Sequence, residues 1–267
     1  MALLLGAAVE VAEPAFDHRY ADWGAFLDSV VEVTPDGTRS SVDYARAARL
    51  QDTLKDILAR WSAVSRDNFD GWSNDQQLAF LINAYNAWTI ALILTEYPDL
   101  ESIKDLGSLF SSPWKQRFVP LFDRTVSLDH IEHDLIRGEF DDPRIHFAVN
   151  CASCGCPALR TEPYRPTRLD EQLSEARDRF LADRTRNRLR AGTKTAEISP
   201  IFKWYGEDFE ARSGSVRSYL AEHGRALADT AEERDLLASG TYRIRYTDYD
   251  WQLNDVNRCP EEAGPDR

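Results

Sequence analysis

The chain has 267 residues, 43% of them hydrophobic and 11% aromatic, which is enough to bury a real core and argues against extensive disorder. Its 45 Asp and Glu against 32 Lys and Arg give a formal charge of -13, which repels nucleic acid and anionic membrane surfaces. Nucleic acid is therefore excluded as an expected partner, and the length favours one domain over two.

Met1 to Val9 are apolar and end in small residues before Glu10 and Pro14, as the end of a signal peptide does, although the usual basic start is missing. Residues 1–15 are read as the remnant of such a signal or as a loose terminus. The first reading implies export to a periplasmic or membrane-associated location, where four cysteines could pair. Residues 16–254 are expected to form one globular domain and 255–267 a flexible tail.

Phe16, Tyr20, Trp23, Phe26, Leu27 and Val30 have the spacing of an amphipathic helix, Pro35-Asp36-Gly37 makes a turn, and Val42 to Trp61 repeats the helical pattern. Ser73 is placed to cap a helix running through Leu78 to Leu94. That apolar stretch is slightly short for a membrane span and is interrupted by Asn83, Asn86 and Thr89, so a buried core helix is expected. A Gly, Ser and Pro-rich loop spans Gly107 to Pro113. Val119 to Val126 suggests a short hairpin, and Ser127 or Asp129 caps a helix carrying Glu132 and His133.

After Asp141-Asp142-Pro143, the run Arg144 to Val149 reads as a strand feeding a cysteine loop. Beyond Pro157 follow a helix from Leu169 to Leu181, a hairpin turning at Ala191-Gly192-Thr193, a short helix at Ile201 to Phe209, two further helices to about Ser239, and a strand from Tyr242 to Trp251. The basic stretch Arg184 to Lys194 alternates along its strand and is explained by a solvated face. Helices outnumber strands without regular alternation, so the expected class is α+β, mainly helical, on a small and largely antiparallel sheet.

The segment His146 to Pro157 supplies an imidazole, an amide and three sulfurs within twelve residues. One reading makes a sulfur the nucleophile, with His146 keeping it as thiolate. His146 and Asn150 would share one face of the expected strand. A second reading joins His146, Cys151, Cys154 and Cys156 as zinc ligands, although a second ligand pair is lacking. A third makes the cysteines structural, as buried thiols or as a disulfide such as Cys151 to Cys156 or Cys154 to Cys259. Asn83 and Asn86 lie three apart on one helical face; they either satisfy loop backbone or line a pocket with His146. Glu132 and His133 could orient a catalytic group, and Trp204, Tyr205 and Asp208 are ambiguous between core and pocket wall.

Several segments together resemble the domain of unknown function 547 family, found in bacterial exported or membrane-anchored proteins and at the C-terminus of plant proteins. They are Phe80 to Ala87, Leu128 to His133, Arg144 to Ser153, Cys156-Pro157, Ile201 to Phe209 and Tyr249 to Asn254. The resemblance implies one domain from about Phe16 to Asn254 and directs attention to Asn83, Asn86, Glu132, His133, His146, Cys151 and Cys156. It supplies no activity. Cys154 and Cys259 fall outside its pattern, which suggests that those two pair.

The leading expectation is a thiol-dependent hydrolase or acyl transferase. Cys156 or Cys151 attacks an amide, ester or thiol substrate, His146 is the base, and Asn150 or Glu132 orients it. Asn83, Asn86 and His133 would bind substrate, with no metal or cofactor expected. The rival is a module that binds a small molecule or peptide without chemistry, its cysteines structural.

Overall fold

The computed structural model describes residues 16–107 and 111–259. The signal-like segment 1–15, part of the Gly107 to Pro113 loop and the end of the tail lie outside the described residues.

Helix α1 (Ala21–Val30) buries Trp23, Phe26, Leu27 and Val30 on one face, and α3 (Gln51–Ser62) buries Leu54, Ile57, Leu58 and Trp61. Between them lie the antiparallel pair β1 (Val31–Val33) and β2 (Ser40–Val42) and the short helix α2 (Tyr44–Arg49). After α4 (Arg66–Asp70) comes the 20-residue α5 (Asn74–Ile93). Ser73 opens α5 with a capping box, its side chain accepting from Gln76 N–H while Gln76 returns the bond to Ser73 N–H. Beyond its first turn α5 is buried almost all round, as a helix apolar on every face must be. No helix among the described residues is long and apolar enough to cross a membrane.

The hairpin of β3 (Val119–Leu121) and β4 (Arg124–Val126) turns through Phe122 and Asp123, both with positive φ. Ser127 then caps a helical segment whose middle, His130–Ile136, is a π-helix, continuing into α6 (Arg137–Glu139).

Arg144 to Val149 is not the expected strand. Pro143–Phe147 forms a 3-10 helix, with Asp142 accepting from Arg144 N–H and Pro143 in the first turn, where its missing N–H costs nothing. A short apolar run does not by itself distinguish strand from buried helix. Ile145, Ala148 and Val149 enter the core formed by the N-terminal helices, whereas Phe147 enters a second core. The turn thus stitches the two together.

That second core is built from α7 (Leu169–Ala182), α8 (Ile201–Trp204), α9 (Gly206–Ser213), α10 (Val216–Glu222), α11 (Gly224–Leu227) and α12 (Ala231–Ser239). They pack with a three-stranded sheet in which β6 (Thr195–Ile198) pairs antiparallel with β5 (Arg188–Arg190) and parallel with β7 (Arg243–Tyr246). The last strand is therefore shorter than the expected Tyr242 to Trp251. The fold is α+β and mainly helical, its strands gathered in two hairpins and this mixed sheet.

Residues 255–259, read from sequence as tail, are docked. Val42 N–H donates to Asn254 O, Val256 N–H donates to Val42 O, Asp255 is buried, and Cys259 is bonded to Cys154.

Two amides on α5 hold the loops that cross it. Asn83 donates to Tyr164 O at 2.7 Å and accepts from Tyr164 N–H at 3.0 Å. Asn86 donates to Ala148 O at 3.0 Å and accepts from Asn150 N–H at 2.8 Å. Asn83→Ala leaves two buried backbone groups of Tyr164 unpaired, each costing about 1–3 kcal/mol. Urea denaturation should show a loss of at least about 2 kcal/mol relative to wild type; a smaller change would mean that water replaces the amide.

Candidate active site

The cysteine loop is held by another amide. Asn150 donates to Pro157 O at 2.8 Å and accepts from Ala152 N–H at 2.9 Å and from the Asn254 amide at 3.2 Å. Ala152 sits at φ 60°, in the left-handed region that costs a residue with a Cβ roughly 1–2 kcal/mol. Cys154 N–H donates to Gln252 O and Gly155 N–H to Asp250 O, so the loop lies directly on residues 249–254. A Cβ at Gly155 would meet Asp250 O at 2.8 Å and the Tyr249 ring at 2.9 Å; glycine is what permits this approach.

All four cysteines are paired: Cys151 with Cys156 and Cys154 with Cys259. The zinc reading thereby loses its thiolate ligands. The Cys151–Cys156 pair lines a cavity of about 200 Å³ together with Tyr85, Glu132, His133, His146, Tyr205 and Tyr249. Trp114, Trp204 and Trp251 also line it; Trp204 stacks on Trp251 and is 47% exposed.

The His146 side chain is fully buried, its ring stacked on Tyr205 at 3.8 Å between centroids. Its Nε2 lies 2.6 Å from Asp208 Oδ2, and its Nδ1 is buried with no hydrogen-bond partner. Arg137 grips Asp208 with two bonds, of 2.7 and 2.8 Å. The Arg137 guanidinium and the bond from His146 hold the Asp208 carboxyl well below the usual range. Burial pushes the His146 imidazole down despite Asp208. Both directions give one state: a charged Asp208 accepting from Nε2–H of a neutral imidazole, which leaves the Nδ1 lone pair unused.

The π-helix places Glu132 and His133 on the same cavity. A π turn holds more residues than an α turn, so adjacent side chains diverge less. Tyr205, at the break between α8 and α9, donates to Glu132 Oε1 at 2.6 Å. Burial, reinforced by the Glu132 charge, pushes the Tyr205 and Tyr85 hydroxyls well above their ordinary range. Arg137 Nη1 donates to His133 Nδ1 at 3.0 Å.

The structure thus brings Glu132, His133, His146, Cys151 and Cys156 to one cavity. It does not bring the three amides there. Asn83 and Asn86, read as substrate-binding, have oxygen and nitrogen both engaged with backbone, and neither lines the cavity. Asn150, read as orienting His146, pins the loop instead; Asp208 orients the imidazole. No sulfur is hydrogen-bonded to His146. Nothing in their sequence neighbours marks Arg137 or Trp114, and Tyr85 lies in the Phe80 to Ala87 segment, where the two asparagines carry the signal.

Residues 69–181 match the model of a family described as a protein of unknown function, DUF547. The chain resembles that family. No curated protein and no solved structure matches. The segment matching DUF547 contributes Glu132, Arg137, His146 and the Cys151–Cys156 pair, while Tyr205, Asp208 and Tyr249 come from beyond it.

Both shifted groups at the centre lose stability toward acid. The folded pKa of Asp208 lies below its unfolded value, so its contribution is present above about pH 4 and is lost as pH falls through the folded value. His146 is also depressed, so the stability it gains as the neutral form is lost as pH falls from about 6.5 through its folded value. Urea denaturation from pH 8 to pH 3 should show His146→Gln flattening the limb that begins near 6.5 and Asp208→Asn flattening the lower limb. Parallel curves for all three proteins would contradict the assigned charge state.

Proposed function

We propose that this cavity is the active site of a hydrolase or acyl transferase in which His146 is the general base. The observation that carries the reading is the unpartnered Nδ1 on an imidazole whose Nε2 is fixed by Asp208 at 2.6 Å, in a residue that lines the cavity. A base needs a free lone pair, a fixed tautomer and a pKa at or below working pH, and His146 meets all three.

In this reading Nδ1 takes a proton from water or from a second substrate's hydroxyl or amine as that oxygen or nitrogen bonds to an acyl carbon. The imidazolium then returns the proton to the departing group, and Asp208 stabilises the positive ring meanwhile. Asp208 and Arg137 act through His146 and are positioning residues. With both sulfurs of the loop bonded to each other, the attacking atom in the oxidised protein is not a cysteine sulfur.

The aromatic wall of Trp114, Trp204 and Trp251 favours a second reading, a cavity that holds a small molecule or peptide end without chemistry. Two disulfides support placing the protein in an oxidising compartment.

Esters, thioesters and amides with chromogenic leaving groups test the proposal. Wild type should accelerate at least one class over buffer, with a rate that falls as pH drops through the depressed folded value of His146, below the ordinary imidazole value of about 6.5. His146→Gln should cost on the order of 10²–10⁴ in that rate, and Asp208→Asn less, with thermal melts showing both variants folded. No acceleration by wild type, or equal rates with and without His146, defeats the enzyme reading; saturable binding without turnover would leave the binding module standing.

A further inference from the structure

The two sulfurs facing the cavity are not equivalent. Cys156 is 3% exposed, whereas Cys151 is partly exposed. The backbone N–H of Cys151 donates to Cys156 Sγ at 2.9 Å, the Tyr249 hydroxyl donates to the same sulfur at 3.3 Å, and the Ser153 hydroxyl lies 3.2 Å from it. Tyr249 and Ser153 also touch Cys151 Sγ, at 3.3 and 3.5 Å, but among the described residues no backbone N–H is aimed at it. A sulfur in a disulfide is a poor acceptor with no need of two donors and a hydroxyl in reach; a thiolate is stabilised by each of them once the Ser153 proton, given to the Tyr249 oxygen at 3.3 Å in the oxidised protein, turns to the sulfur.

The second disulfide is an internal control on the same loop. Cys154 Sγ and Cys259 Sγ both face the carbonyl oxygen of Leu253, at 3.5 and 4.0 Å. A carbonyl oxygen repels negative charge on sulfur and receives only the proton of a neutral thiol.

We propose that Cys151–Cys156 is an exchange-active disulfide that reacts with the thiol of a small molecule or peptide entering the cavity. The incoming thiolate forms a bond to Cys151 Sγ, the more accessible sulfur, and the Cys151–Cys156 bond breaks. The electron pair stays on Cys156 Sγ, where Cys151 N–H and the Tyr249 and Ser153 hydroxyls receive it. A second thiolate then attacks the substrate sulfur of the mixed disulfide and releases Cys151. The balance is one protein disulfide and two thiols giving one protein dithiol and one small-molecule disulfide, two electrons passing to the protein. Run in reverse, the dithiol reduces a disulfide substrate. Cys154–Cys259, with no donor on either sulfur among the described residues, takes no part.

This inference goes beyond the proposed hydrolysis and rests on other atoms, so the two stand or fall separately. The full chain is equilibrated near pH 7 in dithiothreitol buffers of graded potential, quenched by alkylation, and mapped by mass. Cys151 and Cys156 are expected to reduce and reoxidise together while Cys154–Cys259 persists, and limiting glutathione should leave its adduct on Cys151. In the reduced protein, alkylation of Cys156 should have its midpoint below the ordinary thiol value of about 8.5. Tyr249→Phe and Ser153→Ala should each raise that midpoint and slow exchange severalfold, leaving Cys154–Cys259 unaffected. His146→Gln should leave the order of reduction unchanged even where it abolishes hydrolysis. Reduction of both pairs at one potential, reduction of Cys154–Cys259 first, or a Cys156 midpoint at the ordinary value that neither substitution moves would overturn the proposal.

Discussion

The structure depends on the pairing of buried backbone by side-chain amides. A loop that crosses the interior has no neighbouring strand to satisfy its N–H and C=O groups, and leaving them bare is costly. A carboxamide offers one acceptor and two donors in nearly the geometry of a peptide, so it can stand in for the missing strand. Asn86 does this at the entry to the cysteine loop and Asn150 within it. Asn254 joins from the far end of the chain, its own oxygen accepting from the Tyr44 hydroxyl at 2.8 Å. The loop is thereby tied at once to α5, to α2 and to the C-terminal segment. Its left-handed Ala152 and its close contact at Gly155 persist because these ties over-determine them.

With the loop fixed, the charges around it follow. Glu132 and Asp208 approach His146 from different elements, and two carboxylates near a buried ring would repel each other without a cation. Arg137 supplies it, with two bonds to Asp208 and its guanidinium 5.2 Å from the centre of the Tyr205 ring that donates to Glu132. One arginine thus keeps Asp208 ionised, and Asp208 in turn fixes which nitrogen of His146 carries the proton. The arrangement is directional, and exchanging Arg137 for lysine would lose the paired bonds that set it.

Local signals in the sequence identified what they physically determine. Ser73 marks the start of α5, the segment Val119 to Val126 a short hairpin, and Leu169 to Leu181 a helix, α7. The spacing of Asn83 and Asn86 fixed a shared helical face but not its partners, since Tyr164 and Ala148 are 81 and 62 residues away. The same limit hid the role of Asp208, which meets His146 across 62 residues. Pro143–Phe147 departs from the expected strand for a different reason. Ile145, His146 and Phe147 are all buried, so the run carries neither the alternation of a half-exposed strand nor the period of an amphipathic helix. The resemblance suggests the Cys154–Cys259 pair and leaves Cys151–Cys156 among the pairings open from sequence; the docking of residues 255–259 is what brings Cys259 to Cys154.

The two bridges differ in what they can contribute to folding. In the chain-entropy account, a disulfide stabilises by shortening the unfolded chain's list of conformations, more so for a longer loop. Cys154–Cys259 spans 105 residues and on that account contributes about 5 kcal/mol; Cys151–Cys156 spans 5 and contributes only about 2 kcal/mol. The short bridge also closes a loop already held by Asn150 at both ends, so even that smaller gain overlaps with bonds present without it. Stability therefore accounts for the long bridge far better than for the short one. What distinguishes Cys151–Cys156 is its place on a cavity wall and the donors gathered on Cys156, features that matter to a sulfur that changes charge and not to one that stays bonded.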